Sequence, residues 1–172
     1  AYTNKTYNTK LENKLAKEAV KLIHDNILAA FEDGTNLEAR QQDATVFVPQ
    51  WESAMDCVIA DVPCSGLGII RKKPDIRYKD PAEMERLPQL QLQILCEQAE
   101  YVKPGGVLMY STCTLVRREN EAVVEAFLRH HKNFHLEKLE LPEVFPENNS
   151  GMLRLVPGQY DTDGFFIARL RR

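Results

Sequence analysis

The chain has 172 residues, the length of one domain by the usual prior of ~100–200 residues. With 44% hydrophobic and 27% charged residues, 22 basic against 25 acidic, it is neither disordered by composition nor supercharged, which excludes collagen-like, mucin-like and histone-like classes. No run reaches the ~18 consecutive apolar residues of a membrane span, and the opening Ala1-Tyr-Thr-Asn-Lys-Thr-Tyr-Asn has no apolar signal stretch, so a soluble cytoplasmic protein is expected.

In chain order, Leu11, Leu15, Ala19, Leu22, Ile23 and Ile27 recur at helical spacing, and Asp33-Gly34 closes a helix expected over Leu11–Phe31. A short strand is expected at Leu37–Arg40, followed by a polar turn at Gln41-Gln42-Asp43. Met55–Ala60 is a short apolar run that stops at Asp61-Val-Pro-Cys-Ser-Gly, as a buried parallel strand stops at its carboxyl edge. A basic, Pro-broken loop, Arg71-Lys-Lys-Pro-Asp-Ile-Arg, precedes a helix expected over Leu87–Tyr101, which Pro104-Gly105-Gly106 ends. Val107–Tyr110 is the next strand, Arg118–His130 the next helix, and Phe134–Leu139 a further strand. Met152–Leu155 and Gly164–Leu170 suggest a closing antiparallel hairpin.

Strands alternating with helices argue an open α/β sheet in three layers, in which ligands sit beyond the carboxyl ends of the strands. Two such ends, after Ala60 and after Tyr110, each carry a cysteine. The four cysteines, Cys57, Cys64, Cys96 and Cys113, contain no C-x-x-C pair, so neither structural zinc nor a thioredoxin motif is expected. Cys57 and Cys96 read as small buried hydrophobes, and Trp51, Phe165 and Phe166 as packing residues. His130, His131 and His135 read as exposed residues at a helix end rather than ligands, and no metal is expected.

Asp61-Val62-Pro63-Cys64-Ser65-Gly66-Leu67-Gly68 places an acid, a rigid proline, a thiol and two glycines at one strand end. Ser111-Thr112-Cys113-Thr114 repeats the thiol at the next. Adjacent strands lie ~4.8 Å apart, so both sulfurs can face one cleft. Such a pair serves as a redox couple, as half a metal site, or as a nucleophile with a helper.

These two segments, together with Arg71-Lys-Lys-Pro-Asp-Ile-Arg, Glu119-Asn-Glu and Asp163-Gly-Phe-Phe-Ile-Ala, resemble in content and order the carboxyl-terminal part of the RNA 5-methylcytosine methyltransferases, of the Sun or Fmu type that acts on small-subunit ribosomal RNA. The likeness runs from about Leu37 to Arg172. It implies a Rossmann-like methyltransferase fold, S-adenosylmethionine as cofactor, RNA as partner, and covalent catalysis: a thiolate adds to carbon 6 of cytosine so that carbon 5 can accept a methyl group. By resemblance Cys113 is the nucleophile, Cys64 assists breakdown of the adduct, and Asp61 hydrogen-bonds the polar edge of the base. Asp43, Asp61 and Pro63 would lie against the cofactor, although Asp43 also reads as a simple turn aspartate.

The chain departs from that family in one respect. A Gly-rich loop resembling Ala-Pro-Gly-Gly-Lys, which holds the methionine end of the cofactor, has no counterpart; residues 1–172 are therefore expected to form a partial catalytic domain, with half of the cofactor site missing and little cofactor affinity of its own. Arg71, Lys72, Lys73 and Arg77 are placed to hold phosphates around a cytosine turned out of its stack, a solvated basic loop being the plainer reading. Two other functions compete: an inactive RNA-binding or structural remnant of such an enzyme, and a dithiol redox protein.

Overall fold

The computed structural model describes residues 40–143, 145, 150–159 and 161–172. The chain divides into two compact units, one holding Phe47–Arg172 and the other Thr3–Val46. The helix expected over Leu11–Phe31, and the strand at Leu37–Arg40 apart from its last residue, lie outside the described residues.

In the larger unit, the described strands are β1 (Met55–Asp61), β2 (Val102–Thr112), β3 (His135–Leu136), β4 (Met152–Leu155) and β5 (Phe165–Arg171). They form one mixed sheet in the order β1-β2-β5-β3: β1 and β2 are parallel, β5 runs antiparallel to β2, and β3 and β4 both pair antiparallel with β5. The expected closing hairpin is thus present as β4 and β5.

Register explains where the core sits. Val58, Leu108 and Leu170 form one row across the sheet, and Ala60, Tyr110 and Ala168 the next. All six are buried. Two helices, α1 (Pro81–Glu100) and α2 (Glu121–His130), pack together, with α1 lying over β1 and β2. Leu95, Val124 and Phe127, fully buried on the two helices, each contribute ~1.5–3 kcal/mol of transfer free energy. Strand alternation sends Cys57 and Ile59 to the opposite face. Cys57 is therefore exposed, contrary to the sequence expectation: the apolar run reads as buried on both faces, but only Val58 and Ala60 point at the helices. Cys96 is half-buried.

Helix α1 begins at Pro81 rather than Leu87. The Asp80 side chain accepts a hydrogen bond from the Ala82 backbone N–H at 2.9 Å, and Pro81 occupies the first turn, where it needs no donor. Pro88 sits inside the helix. Gln91, Ile94, Leu95 and Ala99 form the buried stripe. Helix α2 begins at Glu121, after a 3-10 turn at Arg117–Glu119 that takes up the expected helical start. Trp51 packs edge-on against Tyr101, and Phe166 against Tyr110, as expected of core aromatics. His131 is not simply exposed; its ring stacks on Phe127 at 4.1 Å between centroids.

Candidate active site

Parallel pairing of β1 with β2 puts Asp61 opposite Ser111, so the two chains leave the sheet side by side. Ser111 Oγ donates to Asp61 Oδ1 at 2.8 Å, and the Val62 N–H donates to the Ser111 carbonyl at 3.2 Å. Beyond this point the Asp61–Gly68 segment turns back. Gly66 holds φ +76°, a left-handed conformation that a side chain would strain, and there a Cβ would stand 3.0 Å from Ile76.

The turn brings Cys64 Sγ to 3.1 Å from Cys113 Sγ. This exceeds a disulfide's ~2.05 Å, and both cysteines are free and half-buried. The residues that follow the two cysteines are also bonded: Ser65 Oγ and Thr114 Oγ1 lie 2.8 Å apart. The expectation that both thiols meet at the strand ends is met by this geometry.

The environment separates the two thiols. Cys113 is pulled down to about 7, chiefly by the hydrogen bond it receives from Cys64 and to a smaller degree by the Lys79 ammonium; burial and the Asp61 carboxylate oppose this. Cys64 is pushed far up by the same hydrogen bond, by burial and by the charge on Cys113. Of the two, Cys113 is thus the thiol that ionises first, with Cys64 keeping its proton. A thiolate beside a neutral thiol is suited to nucleophilic attack with a proton-carrying neighbour.

Lys79 has no sequence signal that singles it out, yet its Nζ donates to the Ser65 carbonyl at 3.0 Å, beside the thiol pair. Glu119 and Asn120 carry no assigned role in the sequence reading, and both are completely buried behind the pair. Glu119 Oε2 accepts from the Ser65 N–H at 2.8 Å, and Asn120 Nδ2 donates to the Thr114 carbonyl at 2.9 Å.

The basic loop follows at once. Asp163, only 3% exposed, receives Lys72 Nζ at 2.5 Å and Arg71 at 3.4 Å. These cations, Lys72 foremost, hold its carboxyl below the usual carboxylate range. Arg71 and Lys72 remain about two-thirds exposed. Lys73 and Arg77 are exposed, and Tyr78 is 87% exposed beside them.

Among residues expected at the cofactor, Asp61 commits one oxygen to Ser111, and the Pro63 carbonyl is taken by Gln91 Nε2 at 2.9 Å. Asp61 is exposed and Pro63 half-buried at the end of β1, so the second Asp61 oxygen is open to a polar ligand such as a cofactor hydroxyl or amine. In the smaller unit, Asp43 Oδ1 accepts from the N–H and Oγ1 of Thr45, at 2.9 and 2.8 Å, the geometry of a turn aspartate. Among the described residues no helix is long and apolar enough to cross a membrane, and no group of His, Cys, Asp or Glu is arranged to hold a metal.

The chain is similar to known proteins. The chain is 44% identical over 165 residues to the probable ribosomal RNA small subunit methyltransferase B of Bacillus subtilis, covering 92% of this chain and 35% of that protein. It is 36% identical over 168 residues to the ribosomal RNA small subunit methyltransferase F of Escherichia coli O9:H4, covering 94% and 34%. The crystal structure of NSun6 from Pyrococcus horikoshii with SFG, an S-adenosylmethionine analogue, superposes with a TM-score of 0.64 at 26% identity, covering 95% of this chain and 39% of that one. The chain spans about a third of the length of the curated relatives. The fold is that of the Rossmann-like S-adenosylmethionine-dependent methyltransferases. With residues 8–171 matching the description 16S rRNA methyltransferase RsmB/F, the chain belongs to that family.

Proposed function

We propose that this chain forms the thiol-bearing part of an enzyme that methylates carbon 5 of a cytosine in small-subunit ribosomal RNA through a covalent cysteine adduct. The observation that carries the reading is the 3.1 Å pair of free thiols at the ends of β1 and β2, in surroundings that pull Cys113 down and push Cys64 up. Carbon 5 of cytosine is a poor nucleophile. Addition of the Cys113 thiolate to carbon 6 makes a carbon–sulfur bond and pushes an electron pair toward carbon 5. S-Adenosylmethionine, when bound, supplies the electrophilic methyl group.

The chain's own residues do the rest. Asp61, steadied by Ser111, binds the polar edge of the ring and favours the charge that develops there. Once Cys113 is consumed in the adduct, Cys64 no longer faces a neighbouring thiolate, and its proton is released to solvent. The Cys64 thiolate then takes the proton from carbon 5, the carbon–sulfur bond breaks, and Cys113 leaves as a thiolate. The starting state is restored, and one proton is released per methyl group. Asp61 and Pro63 are the residues of the larger unit assigned to the cofactor.

Arg71, Lys72, Lys73 and Arg77 are assigned to phosphates around the target base, and the exposed Tyr78 ring offers a face on which a base can stack.

The test uses the full-length enzyme with its RNA. Cys113→Ala should give no methyl transfer and no adduct, whereas Cys64→Ala should accumulate a protein–RNA complex that survives denaturing electrophoresis. An adduct trapped by Cys113→Ala would reverse the two roles, and an adduct with neither variant would remove the covalent mechanism. A remnant that only binds RNA is separated from this reading by calorimetry of the full-length protein with S-adenosylmethionine: no heat of binding would favour the remnant.

A further inference from the structure

Each catalytic-loop cysteine is flanked on both sides by hydrogen bonds to buried side chains. Before Cys64, the Pro63 carbonyl accepts from Gln91 Nε2 at 2.9 Å; after it, the Ser65 N–H donates to Glu119 Oε2 at 2.8 Å, and Gln91 Nε2 also donates to that oxygen at 3.1 Å. Before Cys113, Thr112 Oγ1 donates to Asn120 Oδ1 at 2.6 Å; after it, the Thr114 carbonyl accepts from Asn120 Nδ2 at 2.9 Å. Two consecutive residues, Glu119 and Asn120, therefore grip the two loops separately.

Neither side chain is where ordinary stability would put it. Asn120 is the N-cap residue of α2, the position at which an asparagine normally bonds the first free N–H groups of its helix, yet it makes no such bond. Its amide is spent wholly on the Cys113 segment. Among the described residues the fully buried Glu119 carboxylate meets no cation, and its Oε1 finds no hydrogen bond. Such a group is costly to bury. What it gains is a fixed backbone immediately after Cys64. The Tyr110 hydroxyl donates to the Glu119 carbonyl at 2.5 Å and holds the dipeptide itself against β2.

We infer that the Glu119–Asn120 dipeptide is a positioning device that sets the separation of the two thiols, Glu119 with Gln91 placing Cys64 and Asn120 placing Cys113. The inference rests on the roles proposed above for the two cysteines. It assigns opposite kinetic signatures to neighbouring residues, which general loosening of the fold does not produce.

The experiment measures, in full-length enzyme with RNA and S-adenosylmethionine, single-turnover methyl transfer, adduct retention, and the pH dependence of Cys113 alkylation by iodoacetamide. Glu119→Ala should preserve methyl transfer but retain adduct, with release slowed by up to about 100-fold, the scale of a ~1 Å misplacement. Glu119→Gln, which keeps an acceptor for the Ser65 N–H, should restore release. Asn120→Ala should slow adduct formation and methyl transfer together and retain no adduct. Asn120→Asp, which keeps the acceptor for Thr112 but loses the donor to Thr114, should lie between it and the wild type and serves if the alanine variant does not fold.

Adduct retention by Asn120→Ala, or slowed attack with normal release in Glu119→Ala, would overturn the inference. Cys64→Ala is the control. If it traps adduct and Glu119→Ala does not, the positioning role fails while the cysteine roles stand. If Cys64→Ala traps none, the cysteine roles fail, and the alkylation profile alone decides: an upward-shifted midpoint in Glu119→Ala supports positioning, and an unshifted one refutes it.

Discussion

Gly68 and Gly164 cross so closely that a Cβ on Gly68 would stand 2.2 Å from the Gly164 carbonyl oxygen. The Gly164 N–H donates to the Gly68 carbonyl at 2.8 Å, and the Gly68 N–H donates in turn to the Cys113 carbonyl at 3.0 Å. Three segments distant in sequence are thereby tied in series: the loop before β5, the turn after Cys64 and the backbone of Cys113. Asp163, next to Gly164, fastens the basic loop to the same knot through Lys72 and Arg71.

Gly68→Ala should break this series. The atoms a methyl group would meet are backbone atoms of Gly164 and Cys113, which cannot swing aside as a flexible side chain does. Overpacking of this kind costs ~1–3 kcal/mol, so thermal melting should fall. The same variant should also lose adduct formation, because the Cys113 carbonyl must move. A variant with unchanged melting temperature and unchanged adduct formation would show that the crossing is looser than its geometry.

The Cys64 hydrogen bond is the main reason that Cys113 ionises near pH 7, so alkylation of Cys113 should rise with pH through a midpoint at about 7. The reactive thiolate is present above that value and lost as pH falls through it. In Cys64→Ala the donated hydrogen bond is gone, and the midpoint should move up toward the ordinary 9.0. At pH 7 the thiolate fraction then falls from about a half to about 1%, while the more basic thiolate is about eightfold more nucleophilic for a Brønsted slope of ~0.4–0.5. Alkylation should slow by about sixfold at pH 7 and quicken by about fourfold at pH 9. A midpoint that stays at 7 in Cys64→Ala would mean that Lys79 or the backbone sets the ionisation.

How much of this is legible in the sequence depends on the range of the interaction. The thiol pair is legible because each cysteine follows a recognisable strand end, and parallel neighbours align such ends. The start of α1 is not, because the apolar periodicity sets in only near Leu87, although the Asp80 cap and Pro81 form a complete start upstream. The face on which Cys57 lies depends on which side of the sheet the helices cover, and a uniformly apolar run does not encode it. Glu119 belongs to a motif visible in the sequence, but its hold on Ser65 spans 54 positions, and nothing local marks it. The Lys72–Asp163 pair is likewise created only when β5 returns beside β2.

That pair changes what the basic loop should do with RNA. Arg71 and Lys72 share a buried carboxylate that offsets part of their charge, whereas Lys73 and Arg77 are exposed and have no such partner among the described residues. Each phosphate contact on a single strand contributes ~0.7 to the slope of log affinity against log salt. Lys73→Gln with Arg77→Gln should therefore flatten the slope for the full-length protein by about 1.4, with a matching loss of affinity at low salt. Asp163→Asn should act in the opposite sense, since it releases two cations onto the surface where the RNA is proposed to lie. The two variants are informative together. A basic loop that is merely solvated leaves the slope unchanged in both, while a loop that binds only through Lys73 and Arg77 responds to the first and not to the second.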